Sequence, residues 1–417
     1  MLPNQTLIRI FISTGEVSGD LQGSMLIEAL FRQAKNQNIP IEIIALGGEK
    51  MAAAGALLLG NTTGIGSVGL LESIPYIIPT YLIQQKTKQY LKSHPPDIVI
   101  LIDYMGPNLG IGNFIKNHFP QMPILYYIAP QEWVWSLGSK STEQIIKLTD
   151  QILAIFPEEA RYFESKGAQV TWVGHPLLDR MKMAPSRAES RIKLGIEPDQ
   201  IAIALLPASR WQEIKYLMPI LLEAAKQIQD KIPGVKFWIP VSLPEYYNVI
   251  ETAIKNYQLN AVLVSTNSEN YQTLDVISAA DLAITKSGTV NLEIALLNVP
   301  QVVVYRVSNL TAWLVRRFLN FSVPFISPTN LVQMQAIVPE LVQEEVTPEN
   351  IVRESIELLT NQPKRQEILN HYQQMKQALG EEGVCDRAAL KILNSIAGNR
   401  EQGTGNRGEI LHRLGSP

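Results

Sequence analysis

The feature that most restricts the fold is a rhythm of short apolar runs alternating with longer helical patterns, set out twice along the chain. The first set of β-branched runs lies at 7–13, 41–46, 98–102, 124–128, 151–156 and 170–173, with helix-like segments such as 23–37 and 81–92 between them. Runs of that length without polar alternation read as strands buried on both faces, and strand–helix–strand repeats of them build a parallel, doubly wound sheet. A polar stretch at 182–191 then breaks the rhythm with Pro185 and the charged residues Lys182, Arg187, Glu189 and Arg191, and it reads as a linker. A second set follows at 201–206, 235–240, 261–264, 282–285 and 301–305. At 417 residues the chain exceeds what one hydrophobic core usually holds.

The expectation is therefore an α/β chain of two Rossmann-like doubly wound domains, 1–182 and 192–362. A helical segment at 363–397 follows, free to pack back on the first domain, and then a mobile tail at 398–417 rich in Gly, Asn and Arg. Open sheets of this kind bind ligands beyond the carboxyl ends of their strands, so the default site is a cleft that the two domains face.

Composition narrows the function classes. The net charge of −3 argues against a general nucleic-acid partner, and the single cysteine, Cys385, excludes an intrachain disulfide framework and a cysteine metal cluster. The amino terminus lacks a basic region followed by a long apolar one, so it reads as a first strand and not a secretion signal. No apolar run reaches about 18 residues, the length of a spanning helix. The nearest, 68–83, is broken by Glu72, Pro75 and Pro79.

Four turns at predicted strand ends carry candidate chemistry. At Lys286-Ser287-Gly288-Thr289 a buried strand meets a helix, whose first N–H groups and hydroxyls can hold an anion, while Glu293 one turn on can accept ribose hydroxyls. An ordinary capped helix fits the same pattern. Ser209 and Arg210 stand at a second such turn, and an arginine there forks onto phosphate oxygens or simply lies on the surface. In the first half, Gly15-Glu16-Val17-Ser18-Gly19-Asp20 crowds glycines and polar groups into one turn. Its spacing is not that of G-x-G-x-x-G, which disfavours a nicotinamide or flavin cofactor; Glu16 and Asp20 read as ligand contacts or as caps. Asp103, at the end of the run 98–102, is placed as a general base or as a turn residue that bonds nearby amides. His175 ends the strand before the linker, and Trp133 lies in an aromatic segment that either lines a pocket or fills core. No histidine spacing suits a metal, so neither a protein-bound metal nor any other cofactor is expected.

Together these segments resemble the lipid-A-disaccharide synthase family, inverting glycosyltransferases of the two-domain GT-B fold. The resemblance runs from about Leu7 to Ala397. It rests on 15–23, 47–55, 96–103, Trp133-Val134-Trp135, Val173-Gly174-His175-Pro176, 205–210, 287–289 with Glu293, 303–306 and 338–343. It implies transfer of 2,3-diacylglucosamine from UDP to the 6-hydroxyl of 2,3-diacylglucosamine 1-phosphate (lipid X), with inversion, UDP release and no metal. Asp103 would then be the catalytic base, and Arg210 would neutralise the departing diphosphate. Ser287, Gly288, Thr289 and Glu293 would hold phosphate and ribose, and Glu16, Ser18, Gly19, Asp20, Trp133, His175 and Ser209 would line the substrate sites. Acylated substrates imply work at a bilayer surface, as a cytoplasmic protein peripheral to the inner membrane, with 69–83 or 313–321 as docking segments; a homodimer is compatible. The loops depart from the family pattern: Met105-Gly106-Pro107-Asn108 stands for Pro-Asp-Phe-Asn, Gln131-Glu132 for Ser-Val, Ala208 for Gly, and Ser327-Pro328-Thr329-Asn330 for Leu-Pro-Asn. A non-catalytic or different-acceptor UDP-sugar binder is the alternative, with a UDP-sugar epimerase behind it.

Overall fold

The computed structural model describes residues 7–15, 17–63, 76–134, 139–207, 211–241, 243–266, 272–307 and 325–396. Among these residues the chain forms two parallel sheets. The first contains β1 (Ile8–Ser13), β2 (Ile41–Gly47), β3 (Leu57–Asn61), β4 (Ile98–Ile102), β5 (Ile124–Tyr127), β6 (Gln151–Ala154) and β7 (Val170–Trp172), in the order β3-β2-β1-β4-β5-β6-β7. The helices between them are α1 (Val17–Asn36), α2 (Glu49–Ala53), α3 (Ile77–Ser93), α4 (Met105–His118), α5 (Ser139–Leu148) and α6 (Pro157–Ser165). All five side chains of β4, Ile-Val-Ile-Leu-Ile, are fully buried, as a central strand covered on both faces requires. Phe11, Val99, Leu101, Tyr126, Ile152 and Phe163 belong to the core on one of those faces.

The second sheet contains β8 (Ala202–Leu206), β9 (Lys236–Val241), β10 (Ala261–Ser265), β11 (Leu282–Lys286), β12 (Gln301–Tyr305) and β13 (Glu340–Val342), in the order β10-β9-β8-β11-β12-β13. Its helices begin with α7 (Leu177–Met181), α8 (Arg187–Leu194), α9 (Trp211–Tyr216), α10 (Met218–Lys231), α11 (Tyr247–Tyr257), α12 (Thr273–Ala279) and α13 (Val290–Leu296). Ala204, Trp238, Ile277, Ala283 and Ile294 form part of its core.

The chain divides into two compact units, 1–176 with 380–417, and 177–379. The polar stretch at 182–191 is not a linker. Ser186 starts α8 with a reciprocal cap: its hydroxyl accepts the Glu189 N–H and the Glu189 carboxylate accepts the Ser186 N–H. Gly195, at φ 65°, ends the helix. Arg191, read as linker charge, is buried, with its guanidinium on the carbonyls of Ala279, Glu197 and Gln200. The segment expected at 363–397 is likewise divided. The helix Gln362–Ala378 belongs to the second unit, whereas the helix at 384–396 lies with the first, where Arg387 donates to the Val173 carbonyl.

Candidate functional site

In each sheet the strand order reverses at one place, between β1 and β4 in the first and between β8 and β11 in the second. At such a switch point the flanking loops leave in opposite directions and a crevice opens beyond the strand ends. Ser13 pairs with Leu101 in the first sheet and Thr285 with Leu206 in the second, so within each sheet the turns singled out from the sequence leave from neighbouring strand ends.

At the first switch point Asp103 follows β4. Both it and Tyr104 are left-handed, at φ 45° and 47°. The Asp103 N–H donates to the Ile128 carbonyl at 2.9 Å, and its own carbonyl accepts from Asn108 Nδ2 and from the Tyr126 hydroxyl, each at 2.7 Å. Ile128, past the end of β5, is also left-handed at φ 60°, which a β-branched residue rarely adopts. Burial, with the nearby Asp103 charge second, pushes the Tyr126 hydroxyl well above its usual range, so it remains a donor.

Gly15 lies beneath the Tyr104 ring, where a Cβ would come within 1.9 Å of ring carbon; a Cβ on Gly19 would meet the Thr14 hydroxyl at the same distance. These glycines let the turn and the start of α1 close against their neighbours. Ser18 is half-buried. Asp20 is buried and takes up the N–H groups of Gly48, Lys50 and Met51, so it caps α2. Of its two sequence readings, ligand contact and cap, the structure displays the cap.

Trp133, Phe156 and His175 form a chain of tilted rings with centroids 5.6 and 5.0 Å apart. Burial lowers the His175 pKa to about 3, so the ring is neutral near pH 7. Glu159 is buried beside this group. It accepts N–H bonds from Ala129, Ile155 and Phe156, yet burial outweighs them and pushes its carboxyl up to about 7.

At the second switch point the turn after β11 is closed on itself. The Ser287 hydroxyl donates to the Ile326 carbonyl at 2.9 Å, and the Gly288 N–H donates to Asn291 Oδ1 at 2.8 Å. Two donors read as phosphate ligands are therefore engaged inside the protein. Thr289 takes the N-cap position with helical backbone and no side-chain cap bond. Glu293 is buried and paired with Arg180 of α7. Asn291 is fully buried and ties Lys286 to Gln301.

Asn108 and Tyr126 as partners of Asp103, and Arg180 as the partner of Glu293, do not stand out in the sequence. An Asn in the first turn of the helix that follows a strand is a detectable signal for the first. No spacing rule links Arg180 to a residue 113 positions away. Glu16, Ser209, Arg210, Trp135, the segment 313–321 and the tail lie outside the described residues, as does 69–75 of the other docking segment.

Comparison with known proteins adds sequence breadth to this geometry. The family described as lipid-A-disaccharide synthetase matches residues 10–394. The lipid-A-disaccharide synthase of Gloeothece citriformis is 58% identical over 93% of this chain and 100% of its own length, and that of Synechocystis sp. is 56% identical over 94% and 99%. The enzyme of Coxiella burnetii is 33% identical over 93% and 98%. Among solved structures, a putative UDP-N-acetylglucosamine 2-epimerase from Listeria monocytogenes superposes with a TM-score of 0.65 at 15% identity, covering 95% of this chain and 97% of that one. MurG from Acinetobacter baumannii gives 0.53 at 13%, covering 93% and 98%. At such identities the structures speak for the fold alone. With the family matched from β1 to the last described helix, the chain belongs to the lipid-A-disaccharide synthase family.

Proposed function

We propose that this chain transfers 2,3-diacylglucosamine from its UDP ester to the 6-hydroxyl of 2,3-diacylglucosamine 1-phosphate, giving the β-1,6-linked disaccharide 1-phosphate and UDP. The observation that carries this reading is the family match over 10–394, with relatives of that name more than half identical along their whole length. Asp103 is the base. It takes the proton of the acceptor hydroxyl as that oxygen attacks the anomeric carbon from the face opposite the diphosphate. The bond from that carbon to the phosphate oxygen breaks, and the electron pair leaves with UDP, which accounts for inversion. A base so placed contributes about 10²–10⁴ in rate. Arg210 and Ser209 neutralise the diphosphate, Thr289 seats it on the turn whose shape Ser287 and Gly288 hold through their internal bonds, and Glu293 takes the ribose while paired with Arg180. Glu16, Ser18, Gly19, Trp133 and His175 border the acceptor.

The acylated substrates place the reaction at a bilayer surface. Among the described residues no helix is long and apolar enough to cross a membrane. At the start of α3, however, Ile77, Ile78, Tyr81 and Leu82 are 55–70% exposed, an apolar cluster suited to peripheral insertion. Incubation with the UDP-linked donor and the 1-phosphate acceptor should yield disaccharide and UDP, with no UDP formed when acceptor is omitted. Asp103→Ala should bind UDP and not turn over. Wild-type turnover in that variant removes Asp103 from its role, and isomerised sugar nucleotide without UDP release would mean an epimerase. The protein should also sediment with phospholipid vesicles, and the double variant Ile78→Glu, Tyr81→Glu should remain in the supernatant; equal sedimentation of the two would rule out the α3 cluster.

A further inference from the structure

β4 hands over to α4 through two consecutive non-glycine residues in the left-handed region, Asp103 and Tyr104. An L-residue there is strained, so two in succession persist only where the surroundings over-determine them. The determinants here are specific. Asn108, fully buried, directs its Nδ2 onto the carbonyl of Ile102 at 3.0 Å and that of Asp103 at 2.7 Å. Its Oδ1 is fixed by the Ser13 hydroxyl at 2.7 Å, so the amide cannot flip without losing all three bonds. Tyr126, from the neighbouring strand β5, supplies a second donor to the same Asp103 carbonyl.

Turning the 103–104 peptide back to ordinary dihedrals would carry that carbonyl away from both donors and orphan it in the interior. A buried carbonyl left without a donor is costly, so the clamp opposes the strain and holds the turn in place. The Tyr104 ring over Gly15 closes the turn from the other side.

We propose that Asn108 and Tyr126 are positioning residues: by clamping the Asp103 carbonyl they hold the turn left-handed and so aim the Asp103 carboxylate at the acceptor hydroxyl. This rests on the reading of Asp103 as the base. The carboxylate leaves a Cα whose orientation is set by that peptide. Misplacement of a reacting group by about 1 Å can cost about 10²-fold in rate.

The test is a double-mutant cycle. Tyr126→Phe keeps shape and packing while removing one donor, and Asn108→Asp keeps size while withdrawing both Nδ2 donations; each is combined with Asp103→Asn. The readouts are kcat, donor KM, UDP affinity and thermal midpoint. The expectation is a fall in kcat of about 10-fold for Tyr126→Phe and about 10²-fold for Asn108→Asp, with donor KM and UDP affinity within about twofold of wild type. In the Asp103→Asn background the Tyr126→Phe loss should vanish, because nothing remains to be aimed. A cooperative melt for Tyr126→Phe with kcat within about twofold of wild type overturns the proposal, as does an undiminished loss on Asp103→Asn. If Asp103→Asn alone keeps wild-type kcat, the base reading falls first and the proposal with it; an inactive Asp103→Asn beside a fully active Tyr126→Phe leaves the base standing and removes only the clamp.

Discussion

Single residues at the first switch point are set against one another with little room. Gly15 shows it most sharply. The space its missing Cβ would occupy is filled by the Tyr104 ring, with three ring carbons between 1.9 and 2.3 Å away. Gly15→Ala must therefore move Tyr104, and with it the turn that carries Asp103. Over-packing of this kind costs about 1–3 kcal/mol. The expected outcome is a thermal midpoint several degrees lower together with reduced kcat, read by calorimetry and by initial rates. An alanine variant with wild-type melting and turnover would show that Tyr104 moves without consequence. Asp103 and Gly15 were both visible in the sequence, one as a carboxylate ending an apolar run and the other as a glycine after a first strand. Their contact through Tyr104 was not visible, because it depends on β1 and β4 being neighbours with a given register.

Helix ends explain much of what the sequence did and did not reveal about the elements. The buried strands were readable because runs such as Ile98-Val99-Ile100-Leu101-Ile102 have no other way to be satisfied in water. The strand β3, Leu-Leu-Leu-Gly-Asn, does not stand out in the sequence: it is an edge strand, half-exposed, and contains Gly60. Helix α8 reads as linker from composition because its polar residues outweigh Ser186-Arg187-Ala188-Glu189, a capping box in plain order. Ser186→Ala should destabilise the second unit by about 1 kcal/mol in urea titration, with no change in UDP affinity. Asp20→Ala removes the acceptor of three backbone N–H groups at the start of α2, and the orphaned donors make the loss larger, about 2–3 kcal/mol. If Asp20→Ala instead left stability intact and weakened substrate binding, the ligand-contact reading of Asp20 would be the correct one. The Ser287 turn is legible in the sequence as a strand-to-helix junction, but its internal bonds are not. Ile326 lies 39 residues away in sequence, and Asn291 serves the turn only because Gln301 holds it from the next strand.

At the scale of the whole molecule, the buried titratable groups of the first unit couple its stability to pH in opposite senses. His175 titrates near 3 in the folded chain and near 6.5 unfolded, so between those values the unfolded chain carries a proton that the folded one lacks. Its contribution is full above pH 6.5 and is lost as pH falls. Glu159 is the reverse, near 7 folded and 4.5 unfolded; the folded chain carries the extra proton, and stability declines as pH rises through that window. From pH 4.5 to 6.5 the two slopes cancel, each worth about 1.4 kcal/mol per pH unit. Removing one group should expose the other. Between pH 5 and 6.5, His175→Phe should lose about 2 kcal/mol relative to wild type, while Glu159→Gln should gain about 2 kcal/mol on its own value at pH 5. Urea unfolding of the three proteins at the two pH values, followed at the transition of the first unit, measures both differences. Stability curves that stay parallel across this range would mean that neither group changes its proton affinity on folding, and that the interior at the ends of β5 and β6 is wetter than its packing indicates.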